Sequence, residues 1–368
     1  MKERIIEFVK KEVVLVVATV LAIVSAFVVP PSMAYMGYID WHVLELLFCL
    51  MTVMAGLQKC GLFDWLGDAL LKRTKKVWQL CLVLVMLCFF LSMLITNDVA
   101  LITFVPFAIL ALEKSGQQRL LIPVVVLQTV AANLGSMLTP IGNPQNLYLY
   151  NLSQMGLGEF ILCMLPNTLI SFVLLVIGLF FIKGKNDSVT QSNSGALKVE
   201  KKQTIIYLVL FVLSLMVVAK VIAIEWVLAI VLVVVLVVDK EVLKTVDYCL
   251  LFTFISFFIF TGNLGNIPAI RETLQALVNG RELIVGVVAS QAISNVPAAL
   301  LLSGFTNDYR ALLAGVNIGG LGTLIASMAS LISYKILANH YDEKKGSYFK
   351  WFTIVNVLFL VVLLVFNF

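Results

Sequence analysis

Apolar residues run along this chain in blocks long enough for helices surrounded by nonpolar material, and the polar residues that interrupt them fall into two matching sets. Continuous apolar stretches predict spans at 13–29, 41–58, 119–150, 159–182, 204–219, 223–239, 247–264, 308–336 and 349–366. Two further apolar elements, 77–112 and 282–304, are broken by Asn97 and Asn295. The arm after Asn295, residues 296–303, is too short to cross a hydrocarbon core of about 30 Å at about 1.5 Å per residue. It must turn back, and the likeness of the two elements extends the same reading to the first.

That likeness is in register. Ser92, Asn97 and Ala100 align without a gap on Ser290, Asn295 and Ala298. Further on, 133–147 aligns on 317–331, pairing Asn133 with Asn317, Gly135 with Gly319, Thr139 with Thr323, Ile141 with Ile325 and Leu147 with Leu331. Asp40-Trp41 and Asp247-Tyr248 open corresponding spans upstream. The expected organisation is a first repeat, 1–182, with hairpin 77–112; a cytoplasmic linker and connecting helix, 183–222; and a second repeat, 223–368, with hairpin 282–304. With one hairpin entering from each side, the repeats are inverted. The fold class is an all-α polytopic membrane protein with about nine full spans, two re-entrant hairpins and helices unwound at the midplane. Amphipathic stretches at 62–76 and 267–278 are expected to lie along the interfaces.

Composition narrows the class. Hydrophobic residues make up 61% and charged residues 13% of 368, and mean hydropathy is +1.02, which leaves little chain for a soluble domain. The basic start (Lys2, Arg4, Lys10, Lys11) followed by 13–29 and Ser32-Met33-Ala34 has the outline of a secretory signal, but the long apolar run favours a retained first helix. With the N-terminus cytoplasmic, all but Lys220, Arg271, Arg281 and Arg310 of the 26 Lys and Arg fall on the inner side. The net charge of +5 is thus explained by orientation, and no nucleic-acid partner is expected. The six cysteines lack C-x-x-C spacing and read as buried thiols. His42 and His340 have no ligand partners at helical spacing.

Chemistry concentrates at the breaks. Pro140, Gly142 and Pro144 unwind 138–146, and irregular backbone at membrane depth is tolerated only against protein or a watered cavity. Half-helix starts offer amides to an anion, while freed carbonyls and neutral side-chain oxygens suit a small cation. Thr96, Asn97, Ser294, Asn295, Asn143 and Thr323 are candidate solute-binding residues. Candidates for Na+ are Asn97, Asp98, Thr139, Gly142, Asn143, Asn295, Gly319 and Thr323. The competing reading makes these polar residues caps and interhelical hydrogen bonds. Asp98 breaks the symmetry, since its register partner is Val296; an intramembrane carboxylate is a ligand for Na+, a proton carrier or a helix cap.

The tips Thr96-Asn97-Asp98 and Ser294-Asn295-Val296, with the loop Gly142-Asn143-Pro144-Gln145-Asn146, resemble the ion-transporter superfamily that includes divalent-anion/sodium symporters, citrate transporters and arsenite permeases. The resemblance covers nearly the whole chain. It implies a homodimer with a scaffold domain, a transport domain that carries both hairpins in an elevator motion, coupling ions beside each tip and solute between the tips. The hydroxyl that the symporters carry third in each tip is replaced here by Asp98 and Val296, and the Asn-Asp pair is closer to the arsenite-permease branch.

The function expected is secondary active transport of a small anion, a carboxylate or inorganic oxyanion, coupled to Na+ or H+, with no organic cofactor. The alternative is an arsenite-type efflux permease or a cation/proton antiporter using Asp98. A channel would give flux that neither saturates nor accumulates solute. No catalytic cluster or nucleotide-binding loop suggests an enzyme. The expected setting is a prokaryotic inner (plasma) membrane.

Overall fold

A computed structural model describes residues 12–72, 74–182 and 199–367. The basic residues Lys2, Arg4, Lys10 and Lys11, and 183–198 of the expected linker, lie outside the described residues. The fold is all-helical. Its main helices are α1 (Val13–Val28), α2 (Trp41–Lys59), α3 (Leu62–Leu71), α4 (Val77–Leu91), α5 (Asn97–Lys114), α6 (Leu121–Ser136), α7 (Pro144–Ser153), α8 (Leu157–Phe180), α9 (Lys201–Val218), α10 (Ile224–Asp239), α11 (Tyr248–Gly265), α12 (Pro268–Val278), α13 (Glu282–Ile293), α14 (Asn295–Leu302), α15 (Tyr309–Ile318), α16 (Met328–His340) and α17 (Lys345–Asn367).

Among the described residues six helices are long and apolar enough to span a membrane, at 41–59, 118–136, 157–180, 201–218, 248–265 and 345–367, against the nine expected. The shortfall has a physical origin. α1 and α10 have 16 residues each, and the stretches 119–150 and 308–336 are each divided by a break. α12 and α13 form a seventh candidate only if counted together, and they bend by 110°. That bend makes α12 a separate amphipathic element, as its sequence suggested.

Helix starts are written locally. Asp40 accepts from Val43 N at 3.1 Å and Asp247 from Leu250 N at 2.9 Å, so the matched acids begin α2 and α11 in the same way. Thr96 caps α5 through Val99 N, and Asp308 caps α15 through Ala311 N. Pro144 occupies the first position of α7, where its missing amide is harmless. Outward faces are apolar: α17 exposes Trp351, Ile354, Leu358, Val361 and Val365 while it buries Tyr348, Phe352, Asn356, Phe359 and Leu363. Polar side chains turn inward, the arrangement suited to an apolar solvent.

Packing divides the helices into two groups. In one, α1 lies on α11, α2 lies on α9 and α10, and α9 lies on α10. In the other, α6 is surrounded by α4, α5, α8, α16 and α17, and α13 packs on α14 and α15. The groups touch chiefly where α14 meets α11 and α7 meets α2. Partners are exchanged reciprocally between halves: α1 packs on α11 as its counterpart α10 packs on α2, and α5 packs on α16 as α14 packs on α7. At the far end of α5, the Tyr341 hydroxyl donates to Glu113; that bond, then burial, pushes the phenol up to about 12.

Candidate functional site

A small cavity lies where both hairpin tips and both helix breaks converge. Its wall includes Asn97 and Asp98 from the first tip, Asn295 and Val296 from the second, Asn143 and Pro144 from the first break, and Ser327 and Met328 from the second. Every one of these is the register partner of another, so the two halves contribute equivalent positions. Four of them, Asn97, Pro144, Asn295 and Met328, are the first residues of α5, α7, α14 and α16. Each helix start carries about half a positive elementary charge. Four such ends lining one small cavity favour negative charge or electronegative oxygen there.

Asp98 offsets part of that field. Its backbone N–H is held by Asn97 Oδ1 at 2.9 Å, while its buried Oδ1 has no hydrogen-bond partner among the described residues. Asp98, Asn143, Pro144 and Leu250 also line an adjoining cavity of about 370 Å³, which reaches Thr96, Gln58, Lys59, Thr245 and Asp247. Lys59 is paired with Asp239 at 2.5 Å.

Hydrogen bonds behind the cavity repeat between the halves. Asn133 donates to Ser330 Oγ at 3.2 Å, and its partner Asn317 donates to Asn146 Oδ1 at 2.7 Å; residues 146 and 330 are themselves in register. Asn133 Oδ1 also receives Asn97 Nδ2 at 3.0 Å and Ser327 Oγ at 2.9 Å. Thr139 donates its hydroxyl to the Met93 carbonyl, and Thr323 donates to the Gln291 carbonyl at 3.3 Å, again at matched positions. Gln291 further bridges α13 to the second break by donating to the Gly319 and Leu321 carbonyls.

The candidate residues therefore separate by location. Asn97, Asp98, Asn143 and Asn295 meet at the small cavity, and Thr96 faces the larger one. Asn143 donates to Ser136 Oγ at 2.6 Å, which fixes its amide. Ser294 is buried in the second tip with φ +74°, a region sparsely used by residues other than glycine. Thr139 and Thr323 brace the breaks against the first arms of the hairpins, and Thr323 is exposed. Gly142 is required by close approach, since a Cβ there would lie 2.0 Å from the Ser136 carbonyl oxygen. Gly319 lies against Ser290, where a Cβ would meet its side chain at 2.8 Å. Two wall residues escaped the sequence reading. Ser327 is the register partner of Asn143 inside the alignment of 133–147 on 317–331, so reading Asn143 across to the second half would have found it, and Gln145 follows Pro144 in the unwound segment.

Comparison with known proteins bears on what this arrangement does. A family model described as citrate transporter matches residues 4–307. The chain belongs to the citrate transporter family. It is 33% identical over 326 residues to an uncharacterized transporter of Methanocaldococcus jannaschii, covering 88% of both chains. It is 31% identical over 320 residues to an inner membrane protein of Escherichia coli, covering 85% of this chain and 84% of that one. A shorter match, 34% over 132 residues, joins it to a silicon efflux transporter of Oryza sativa subsp. japonica, covering 36% of this chain and 27% of that protein. This family member is a membrane transporter and not an enzyme.

Proposed function

We propose that the protein is a secondary active transporter that binds a small oxyanion, or the conjugate acid of one, between its hairpin tips. The observation that carries this reading is the convergence of four helix starts on one cavity. Four ends of about half a charge each, less the carboxylate of Asp98, leave a field that suits one negative charge better than two or three. The tip cavity itself has room for about one water-sized group, with a volume of about 10 Å³. Both features favour a solute of few atoms over a large polyanion.

The coupling ion is Na+ or H+. For Na+, the neutral oxygens of Thr96, Asn97, Thr139 and Asn143 with the backbone at Gly142 serve the first half, and Asn295, Thr323 and the backbone at Gly319 serve the second. For H+, the unpartnered Oδ1 of Asp98 beside the larger cavity is the acceptor. That same oxygen, together with the silicon efflux relative, favours the second reading: efflux of an arsenite-like hydroxylated solute, or cation/proton exchange on Asp98.

The reciprocal packing and the matched hydrogen bonds support two inverted repeats. The short arms α13 and α14, 12 and 8 residues, support a hairpin that enters and leaves on one side. The division into two helix groups supports an elevator, in which the group around α6 moves against the group around α2; the homodimer is what the family resemblance implies. The positive-inside pattern and the name of the Escherichia coli relative support an inner-membrane location with a cytoplasmic N-terminus.

The test is uptake by proteoliposomes of a panel of small oxyacids and carboxylates under imposed Na+ and proton gradients. Saturable accumulation driven by one gradient is expected. Flux that never saturates and never exceeds equilibrium would make the protein a channel and overturn the reading.

A further inference from the structure

We propose that Gln145 is a solute-binding side chain that selects an oxyacid group carrying an O–H beside an acceptor oxygen. This deepens the transport reading above and rests on it.

Gln145 is the second residue of α7, fully buried, and part of the wall between the tips. Its Oε1 and Nε2 both lack a hydrogen-bond partner among the described residues. The surrounding amides are committed to protein. Asn97 spends Nδ2 on Asn133 and Oδ1 on Asp98 N; Asn143 donates to Ser136; Asn146 donates to the Ser136 and Thr139 carbonyls and accepts from Asn317; Asn295 Oδ1 accepts from Val296 N. Among these, Gln145 alone has both ends of its amide open. A buried amide without partners is costly, so one left open in the wall of a cavity is a receptor for something that occupies it.

The chemistry of the open groups defines that occupant. A glutamine amide offers one acceptor and one donor side by side, and its complement is an O–H next to an oxygen lone pair. The nearby orphan Oδ1 of Asp98 adds another acceptor. An occupant must therefore bring O–H donors. A fully ionised carboxylate brings acceptors only and would leave both oxygens facing further oxygen. A hydroxyl-bearing, partly protonated oxyacid of few atoms satisfies donor and acceptors together, with a single O–H group entering the tip cavity and the rest of the solute in the adjoining cavity of about 370 Å³.

The test uses the full-length protein in lipid nanodiscs and titration calorimetry. The probes are orthosilicic acid, boric acid and dihydrogen phosphate, with fully ionised citrate as comparator. The wild type is expected to bind at least one hydroxylated probe, and Gln145→Met to weaken that binding about tenfold or more, the worth of one or two lost hydrogen bonds. Gln145→Asn, which keeps the amide, should fall between them. Because methionine replaces an orphaned amide by an apolar chain of similar shape, the unliganded Gln145→Met protein should unfold no earlier than the wild type. The proposal is overturned if the wild type binds citrate alone or none of the hydroxylated probes, if Gln145→Met keeps wild-type affinity, or if Gln145→Met unfolds early, which would mark the amide as structural. Binding without gradient-driven accumulation would instead defeat the transport reading and leave Gln145 a ligand. Intact accumulation with unchanged affinity in Gln145→Met would defeat only the present inference.

Discussion

Asn97 and Asn295 perform one local task in both halves: the side-chain oxygen of each accepts the N–H of the next residue, at 2.9 and 3.0 Å, and so fixes how a helix starts at the cavity. Losing such a bond costs about 1 kcal/mol of stability, too little to prevent insertion, but it frees an N–H at a helix start that lines the cavity. Asn97→Ala and Asn295→Ala should each abolish transport while membrane insertion, checked by fractionation, is unchanged; normal uptake by both would refute the paired-tip site. Asp98→Asn should be mild in fold, because Oδ1 has no partner to lose, and severe in coupling. Its dependence on Na+ or on the proton gradient should shift in proteoliposomes, whereas an unchanged dependence would reduce Asp98 to a cap. Ser294 departs from its counterpart Thr96 in backbone: φ is +74° against −62°. Holding a serine there costs about 1–3 kcal/mol, so Ser294→Gly should raise the thermal midpoint as it relieves the strain. A lowered midpoint would show that the hydroxyl, within 3.4 Å of the Ala326 carbonyl, outweighs the backbone.

The elements show how much of this was written in the chain. The positions of the breaks were legible because proline, glycine and asparagine in an apolar run leave few alternatives to an interruption, and the register between halves survived in Asn133/Asn317, Gly135/Gly319 and Thr139/Thr323. Direction was not legible. From sequence Thr139 was a candidate for Na+ and Thr323 for solute or Na+; the structure adds that their hydroxyls donate to the Met93 and Gln291 carbonyls and hold each break against the first arm of a hairpin. Periodicity carries no information on which way a side chain faces once the helix has unwound. The count of long spans falls below the nine expected because α1 and α10 stop at 16 residues each and 308–336 is divided by its break. The reciprocal pair Asn133–Ser330 and Asn317–Asn146 gives a test at this scale, because each bond ties a break of one half to the other half. Removing either asparagine leaves buried partners unsatisfied, a loss of about 1–3 kcal/mol. Asn133→Ala and Asn317→Ala should thus both lower the midpoint of thermal unfolding, Asn133→Ala the more, because Asn133 Oδ1 also accepts from Asn97 and Ser327. An effect confined to one half would show that the register is not matched by a shared load.

At the scale of the whole molecule, the two helix groups are held more firmly at one end than at the other, where Gln58 Nε2 donates to Thr103 Oγ1 at 3.4 Å beside the larger cavity. Near Asp40, at the start of α2, Asn151 Nδ2 reaches Asp40 Oδ2 at 2.9 Å, the Tyr150 hydroxyl donates to the Val218 carbonyl at 2.9 Å, and Lys220 Nζ donates to the Met155 carbonyl at 3.3 Å while lying 5.1 Å from the Tyr150 ring centre. All three join α7 and its exit to the group containing α2 and α9. At the opposite end of α2, Gln58 and Lys59 border the larger cavity, which leads to Asp98. Under the proposed orientation, with a cytoplasmic N-terminus, the firmer end would face outside and the cavity the cytoplasm, and this conformation would correspond to the inward-facing stage of the proposed elevator. Its contacts on the outer side must break for the moving group to travel. Each such bond is worth about 1 kcal/mol net, so Tyr150→Phe combined with Asn151→Ala should shift the inward-to-outward equilibrium by about tenfold or more. Spin labels on α10 and α16 would report the shift as a change in their distance distribution by double electron–electron resonance, with the outward population rising in the double variant. An unchanged distribution would mean that the contacts near Asp40 travel with the moving group, and the boundary between the two bodies would then lie elsewhere than between α7 and α9.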